Sequence, residues 1–150
     1  MANLLPRLYL DTSIPSVYYN DRQRDRQLFT QRIWHEKLPN YHLVISNITQ
    51  REIGATQNYK RRRKLQRLIQ HLDTPVANSA CATLANEYLK ILSMPKYDAL
   101  HIAIATVFSC ESLLSWNFTH IVNDSNKQKI NEVNLLNGYK TIRILSPLEL

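Results

Sequence analysis

A chain of 150 residues, 44% of them hydrophobic, is long enough to bury one core of its own, and it is expected to form a single domain over residues 1–150. With 19 Lys and Arg against 12 Asp and Glu it carries a formal charge of +7, which suits a polyanionic partner. Two Gly, six Pro and two Cys exclude a flexible linker, a low-complexity segment and a disulfide scaffold. The most apolar stretch, Ala99 to Phe108, is interrupted by His101 and is too short to span a bilayer, and the N-terminus has no apolar leader. A cytoplasmic protein with no membrane association is expected, with Cys81 and Cys110 as buried thiols.

The first predicted strand, Leu8-Tyr9-Leu10, runs into Asp11 and the turn Thr12-Ser13-Ile14-Pro15. An Asp at such a junction is a natural helix N-cap, but Thr12 and Ser13 could cap equally well and free Asp11 for other work. The same two hydroxyls are suited to hold a water or a phosphate oxygen. Next, Arg22, Arg24 and Arg26, mixed with Asp21 and Asp25, head a helical pattern toward Trp34 and read as a solvated face.

A second strand, Leu43-Val44-Ile45-Ser46, is followed by a helix in whose first turns Glu52 falls if Asn47 or Thr49 is the cap. Thr49 and Glu52 also fit a capping box. Beyond it, Lys60-Arg61-Arg62-Arg63-Lys64 and Arg67 overlap an apolar stripe at Leu65, Leu68, Ile69 and Leu72, the signature of an amphipathic helix. Lys60, Arg63 and Arg67 fall opposite that stripe as a basic ridge, either an RNA-backbone contact or a face kept charged for solubility.

Asp98 stands before Ala99-Leu100-His101-Ile102-Ala103-Ile104-Ala105, a helix apolar nearly all round and therefore buried. An acid entering such a helix needs a partner or a metal. His101, one turn on, is the expected partner, and it reads as a supporting or packing residue rather than a ligand. A third strand, Leu113-Leu114-Ser115-Trp116-Asn117, ends in polar groups, of which Ser115 could orient a water or phosphate. Trp116 reads as core rather than as a base-stacking surface. His120 follows three residues later without an assigned role. The last strand is Ile142-Arg143-Ile144-Leu145-Ser146.

Strands alternating with helices predict an α/β fold, three layers α/β/α around a central parallel sheet. In such sheets groups beyond the carboxyl ends of strands meet in one crevice. Asp11, Glu52, Asp98 and Asn117 would there form an oxygen-ligand site for Mg²⁺ or Mn²⁺. A basic chain that gathers its acids in a cleft is suited to nucleic acid, with the scissile phosphate at the metal and an activated water as nucleophile.

Four motifs in this order resemble the PIN-domain nucleases, and among them the VapC-like toxins: Leu10-Asp11-Thr12-Ser13, Ser46 to Glu52, Asp98-Ala99-Leu100-His101-Ile102-Ala103, and Ser115-Trp116-Asn117-Phe118. The resemblance covers nearly the whole chain. It implies a Mg²⁺- or Mn²⁺-dependent endoribonuclease, the toxin of a toxin–antitoxin pair, that leaves 5′-phosphate and 3′-hydroxyl ends. It also implies a small antitoxin partner and a homodimer. Asp11, Glu52 and Asp98 take the three acidic positions. The departure is Asn117, where many members carry Asp; a neutral carbonyl in place of a carboxylate weakens any second metal position.

Two other readings compete. One is a PIN-like module that binds RNA or protein and has lost catalysis, favoured by Asn117. The other is a phosphoryl-accepting receiver-like domain, disfavoured because the first strand ends in Asp-Thr-Ser rather than an acidic pair.

Overall fold

The computed structural model describes residues 4–150. Four short strands, β1 (Arg7–Leu10), β2 (His42–Val44), β3 (Ser112–Leu114) and β4 (Arg143–Leu145), form one sheet in the order β2-β1-β3-β4, with every pairing parallel. Seven α-helices are described: α1 (Ser13–Tyr18), α2 (Arg24–Glu36), α3 (Asn47–Gly54), α4 (Tyr59–Ile69), α5 (Ser79–Leu89), α6 (Lys96–Val107) and α7 (Asp124–Leu136).

Side chains alternate across the sheet, so each strand feeds both faces. Tyr9 and Leu113 point into a core shared with Leu84 and Tyr88 of α5, Ile102 of α6 and Ile130 of α7. Leu8, Leu10 and Leu114 point the other way, into a core with Ile14 of α1, Ile33 of α2 and Leu65 of α4. Burial on both faces is why the strands read as continuous apolar runs rather than as alternation. The three-layer α/β/α architecture expected from the sequence is therefore the one observed. Cys81 and Cys110 are both free and buried. Among the described residues no helix is long and apolar enough to cross a membrane.

The chain leaves β1 to form β2 on one side of it and later returns to form β3 on the other. The direction of winding thus reverses between β1 and β3, and a crevice opens beyond their carboxyl ends. Asp11 follows β1 and Ser115 follows β3. The N-terminus of α6, which leads into β3, lies at that same edge.

Candidate active site

Asp11 leaves β1 still tied to the sheet, its N–H donating to the carbonyl of Leu114 at 3.2 Å. The residue is 5% exposed. Oδ1 accepts the backbone N–H of Ser13 at 3.0 Å and also the Ser13 hydroxyl, and Oδ2 accepts the Ser115 hydroxyl at 2.7 Å. Asp11 therefore closes an Asx turn into α1, whose N-cap position is Thr12 with no side-chain cap bond, and Oδ2 is turned toward β3. Burial raises its pKa above the ordinary aspartate range, opposed by His101 and by these donors.

Glu52 comes from the second turn of α3. The helix is capped by Ser46, whose Oγ accepts the N–H of Ile48 at 3.2 Å, rather than by Asn47 or Thr49. Asn47 is occupied instead, its Oδ1 accepting the N–H of Ala77 at 2.9 Å. Glu52 Oε1 accepts the Thr12 hydroxyl at 3.0 Å and lies 2.6 Å from His101 Nε2. Burial works to raise its pKa, but the bond and charge of His101 and the bond from Thr12 outweigh it and hold Glu52 below the usual glutamate value.

His101 is 2% exposed, and its Nδ1 is 2.6 Å from the Tyr9 hydroxyl, itself 2.9 Å from Ser46 Oγ. Both ring contacts are satisfied together when Tyr9 donates to Nδ1 and Nε2–H donates to Glu52. A buried polar chain thus links the cap of α3, the middle of β1, α6 and the acid Glu52. The partner expected for Asp98 serves Glu52 instead.

Asp98 lies in the first turn of α6, three residues before His101. Its Oδ2 accepts the Asn117 side-chain N–H at 3.1 Å and is 3.2 Å from His120 Nδ1. Burial raises its pKa, and the charge of Glu52 adds to the shift; His120, Asn117 and His101 oppose it. Asn117 also accepts the backbone N–H of His120 on Oδ1 at 3.0 Å, and its own N–H donates to Ser115 Oγ at 2.9 Å. His120, left without a role by its sequence position, is therefore in direct contact with a site acid. The only signal for it is its spacing of three residues from Asn117.

All four residues expected at the crevice are connected there, Asp11 through Ser115 to Asn117 and Asp98, and Glu52 through Thr12 and His101 to the same two edges. Of the three hydroxyls expected to position water or phosphate, Thr12 donates to Glu52, while Ser13 and Ser115 donate to Asp11. Lys60, Arg63 and Arg67 are exposed on α4 and line one shallow depression with Tyr59 and Lys64, apart from the acids. Their neighbours Arg61 and Arg62 turn inward. Arg61 donates to the carbonyls of Tyr19 at 2.6 Å and Ser16 at 3.0 Å, and Arg62 to that of Thr56 at 2.9 Å.

Oxygen donors without sulfur are the chemistry of Mg²⁺ or Mn²⁺. Although 19 Lys and Arg are present, among the described residues the ion-pair partners of Glu52 and Asp98 are histidines, and Asp11 has none. The negative charge of the cluster is thus left for another cation. Among the described residues no three His, Cys, Asp or Glu side chains converge closely enough to grip a metal ion as they stand. Glu52 is drawn toward His101 and Asp98 toward His120. The donor types fit such an ion, and loading it requires these two carboxylates to share or leave their histidines.

No protein-family model matches the chain, and no curated protein sequence does. Solved structures do. A chain of VapBC-1 from nontypeable Haemophilus influenzae superposes with a TM-score of 0.62 at 18% identity, over 95% of this chain and 98% of that one. VapC20 from Mycobacterium tuberculosis, a toxin that cleaves the sarcin–ricin loop, gives 0.57 at 16% over 71% of this chain and 86% of its own. A chain of VapBC2 from Rickettsia felis, bound to a DNA fragment from its promoter, gives 0.56 at 14% over 93% and 98%. What is shared at these identities is the fold: a parallel sheet between helical layers, the PIN-domain fold of VapC proteins.

Proposed function

We propose that this chain is a metal-dependent endoribonuclease that hydrolyses RNA phosphodiesters, the toxin of a toxin–antitoxin pair. The observation that carries the reading is the placement of Asp11, Glu52 and Asp98 at the crevice where the sheet reverses, with no Lys or Arg partner among the described residues. The fold it shares with VapC proteins, one of them an RNA-loop-cleaving toxin, supports the same reading.

In this reading Asp11, Glu52 and Asp98 hold Mg²⁺ or Mn²⁺, with Asn117 beside Asp98. When bound, such an ion lowers the pKa of a coordinated water and offsets charge on the phosphate under attack. Ser13 and Ser115 fix Asp11, Thr12 and His101 fix Glu52, and Asn117 and His120 fix Asp98. Lys60, Arg63 and Arg67 contact the RNA backbone. Two of the similar structures are VapBC assemblies, which supports a small antitoxin partner; a homodimer acting in the cytoplasm completes the proposal.

The test is cleavage of mixed RNA with and without Mn²⁺, beside an Asp11→Asn control. Cleavage that needs both the metal and Asp11 is expected, and its absence from the wild type under every metal condition overturns the reading. The second reading, a module that binds RNA without cutting it, is favoured by the histidines already engaging two of the acids. It predicts RNA retention with no cleavage at any metal concentration.

A further inference from the structure

We infer that the exposed face of Phe118, braced by Arg26, is a stacking subsite for an unpaired nucleobase of RNA, directly beside the acid cluster. The inference rests on the nuclease reading and specifies which part of the substrate that site grips.

Trp116, the residue that the sequence offers first for stacking, is unavailable. It is 6% exposed, its indole N–H donates to Thr30 Oγ1 at 2.9 Å, and Phe29 meets its ring edge-on at 6.2 Å between centroids. Phe118 is different. It is 40% exposed, and it leans on the Trp116 ring at 6.3 Å and 64°.

The guanidinium of Arg26 lies 5.0 Å from the Trp116 ring centre and 5.5 Å from that of Phe118. Arg26 is exposed, and among the described residues it makes no ion pair, so its charge remains available to a phosphate while its plane supports the rings. An aromatic face next to an uncommitted cation is how proteins hold single-stranded nucleic acid, the ring taking a base and the cation the backbone.

The placement ties this platform to the chemistry. Phe118 is adjacent in the chain to Asn117, whose amide touches Asp98 at 3.1 Å. The loop is pinned on both sides: the N–H of Phe118 donates to the carbonyl of Trp116 at 3.0 Å, and those of Ile121 and Val122 donate to the carbonyl of Asn117 at 3.2 and 2.8 Å. A base stacked on Phe118 would belong to a nucleotide near the phosphate that meets the acids. Only an unpaired base offers a free face, so the substrate at this point is a loop or a single strand.

The experiment uses the full chain as wild type, Phe118→Ala, Phe118→Trp and Arg26→Gln. A single-stranded RNA carrying 2-aminopurine is titrated in chelator, where no cleavage occurs, and the same sequence is then cut in Mn²⁺ as a single strand and as a duplex. Phe118→Ala is expected to lose the fluorescence quenching and to raise KM about tenfold or more with kcat little changed, abolishing the preference for the single strand. Phe118→Trp should restore all three, and Arg26→Gln should weaken binding and its salt dependence. Melting should fall only modestly for Phe118→Ala, because the ring is 40% exposed and packs at the surface on Trp116 and Arg26. A Phe118→Ala protein that quenches and cuts like the wild type overturns the inference while leaving the nuclease standing. That result is expected if the platform serves a protein partner instead. A wild type that neither binds nor cuts RNA brings down both.

Discussion

Asp98 faces forces of opposite sign: burial and the charge of Glu52 favour its protonated form, while His120 and Asn117 favour the carboxylate. The first two prevail, so its folded pKa lies above the ordinary 3.8. A raised carboxylate contributes stability below its unfolded pKa and loses that contribution as pH rises through the folded value. In chelator at neutral pH, Asp98→Asn should therefore melt at or above the wild-type temperature, and the difference should shrink as pH falls toward 3.8, where the wild-type group is itself protonated. Glu52 runs the other way. Its pKa is lowered, so its contribution is present above the ordinary 4.5 and lost as pH falls through the folded value. Cleavage by Asp98→Asn should drop roughly a hundredfold or more, because a metal contribution of several kcal/mol is withdrawn. A destabilised variant that still cuts RNA would mean that Asp98 is a structural group. Where the four candidate residues stand in the fold was legible in the sequence, Asp11 and Asn117 just past strands, Asp98 at a helix start and Glu52 within the helix after β2. Their partners were not: His101 follows Asp98 by three residues just as His120 follows Asn117, and only the tertiary path decides that His101 serves Glu52. The cap of α3 was hidden for a similar reason, since Ser46, Asn47 and Thr49 crowd one junction and all have suitable side chains.

At the scale of elements, α4 divides a run of like charges into two functions. Arg61 lies four residues before Leu65 and eight before Ile69, on the buried stripe, and there it binds two carbonyls at the end of α1. Lys60, Arg63 and Arg67 face solvent. If these three meet RNA phosphates, converting all of them to Gln should flatten the salt dependence of single-strand binding by about 2 in the log–log slope, close to 0.7 per lost contact. Melting and metal affinity should hold. Arg61→Gln should do the reverse, costing about 1 kcal/mol of stability through half-buried carbonyls left without that donor, with the salt slope hardly moved. An unchanged slope in the triple variant would make the ridge a solvated face only. The four strands could be read as short apolar runs, and the amphipathic α4 from its periodicity. The order β2-β1-β3-β4 could not, because parallel strands buried on both faces all present the same apolar run and carry no mark of their neighbour.

For the molecule as a whole, a chain with a formal charge of +7 sets three carboxylates at one edge of its sheet without a Lys or Arg among their described partners. Burial makes the charged forms of Asp11 and Asp98 costly, and a cation that joins them in the folded state offsets that cost. Mn²⁺ should therefore raise the melting temperature of the wild type. A concentration a hundred times the dissociation constant adds about 2.7 kcal/mol, worth roughly 5–10 °C in a domain of this size. Asp11→Asn should lose most of that gain. Asn117→Asp is the sharper comparison. The Asn117 side-chain N–H now donates to Asp98 at 3.1 Å, and Asp in its place would set a second carboxylate against the first. Without metal the two repel, so the variant should melt below the wild type in chelator. With Mn²⁺ the added carboxylate becomes a ligand, so the shift on loading should exceed that of the wild type and the midpoint of the titration should fall to lower metal. Cleavage measured on the same preparations then separates metal binding from turnover. An Asn117→Asp protein whose melting and metal midpoint both match the wild type would place residue 117 outside the shell that feels the ion.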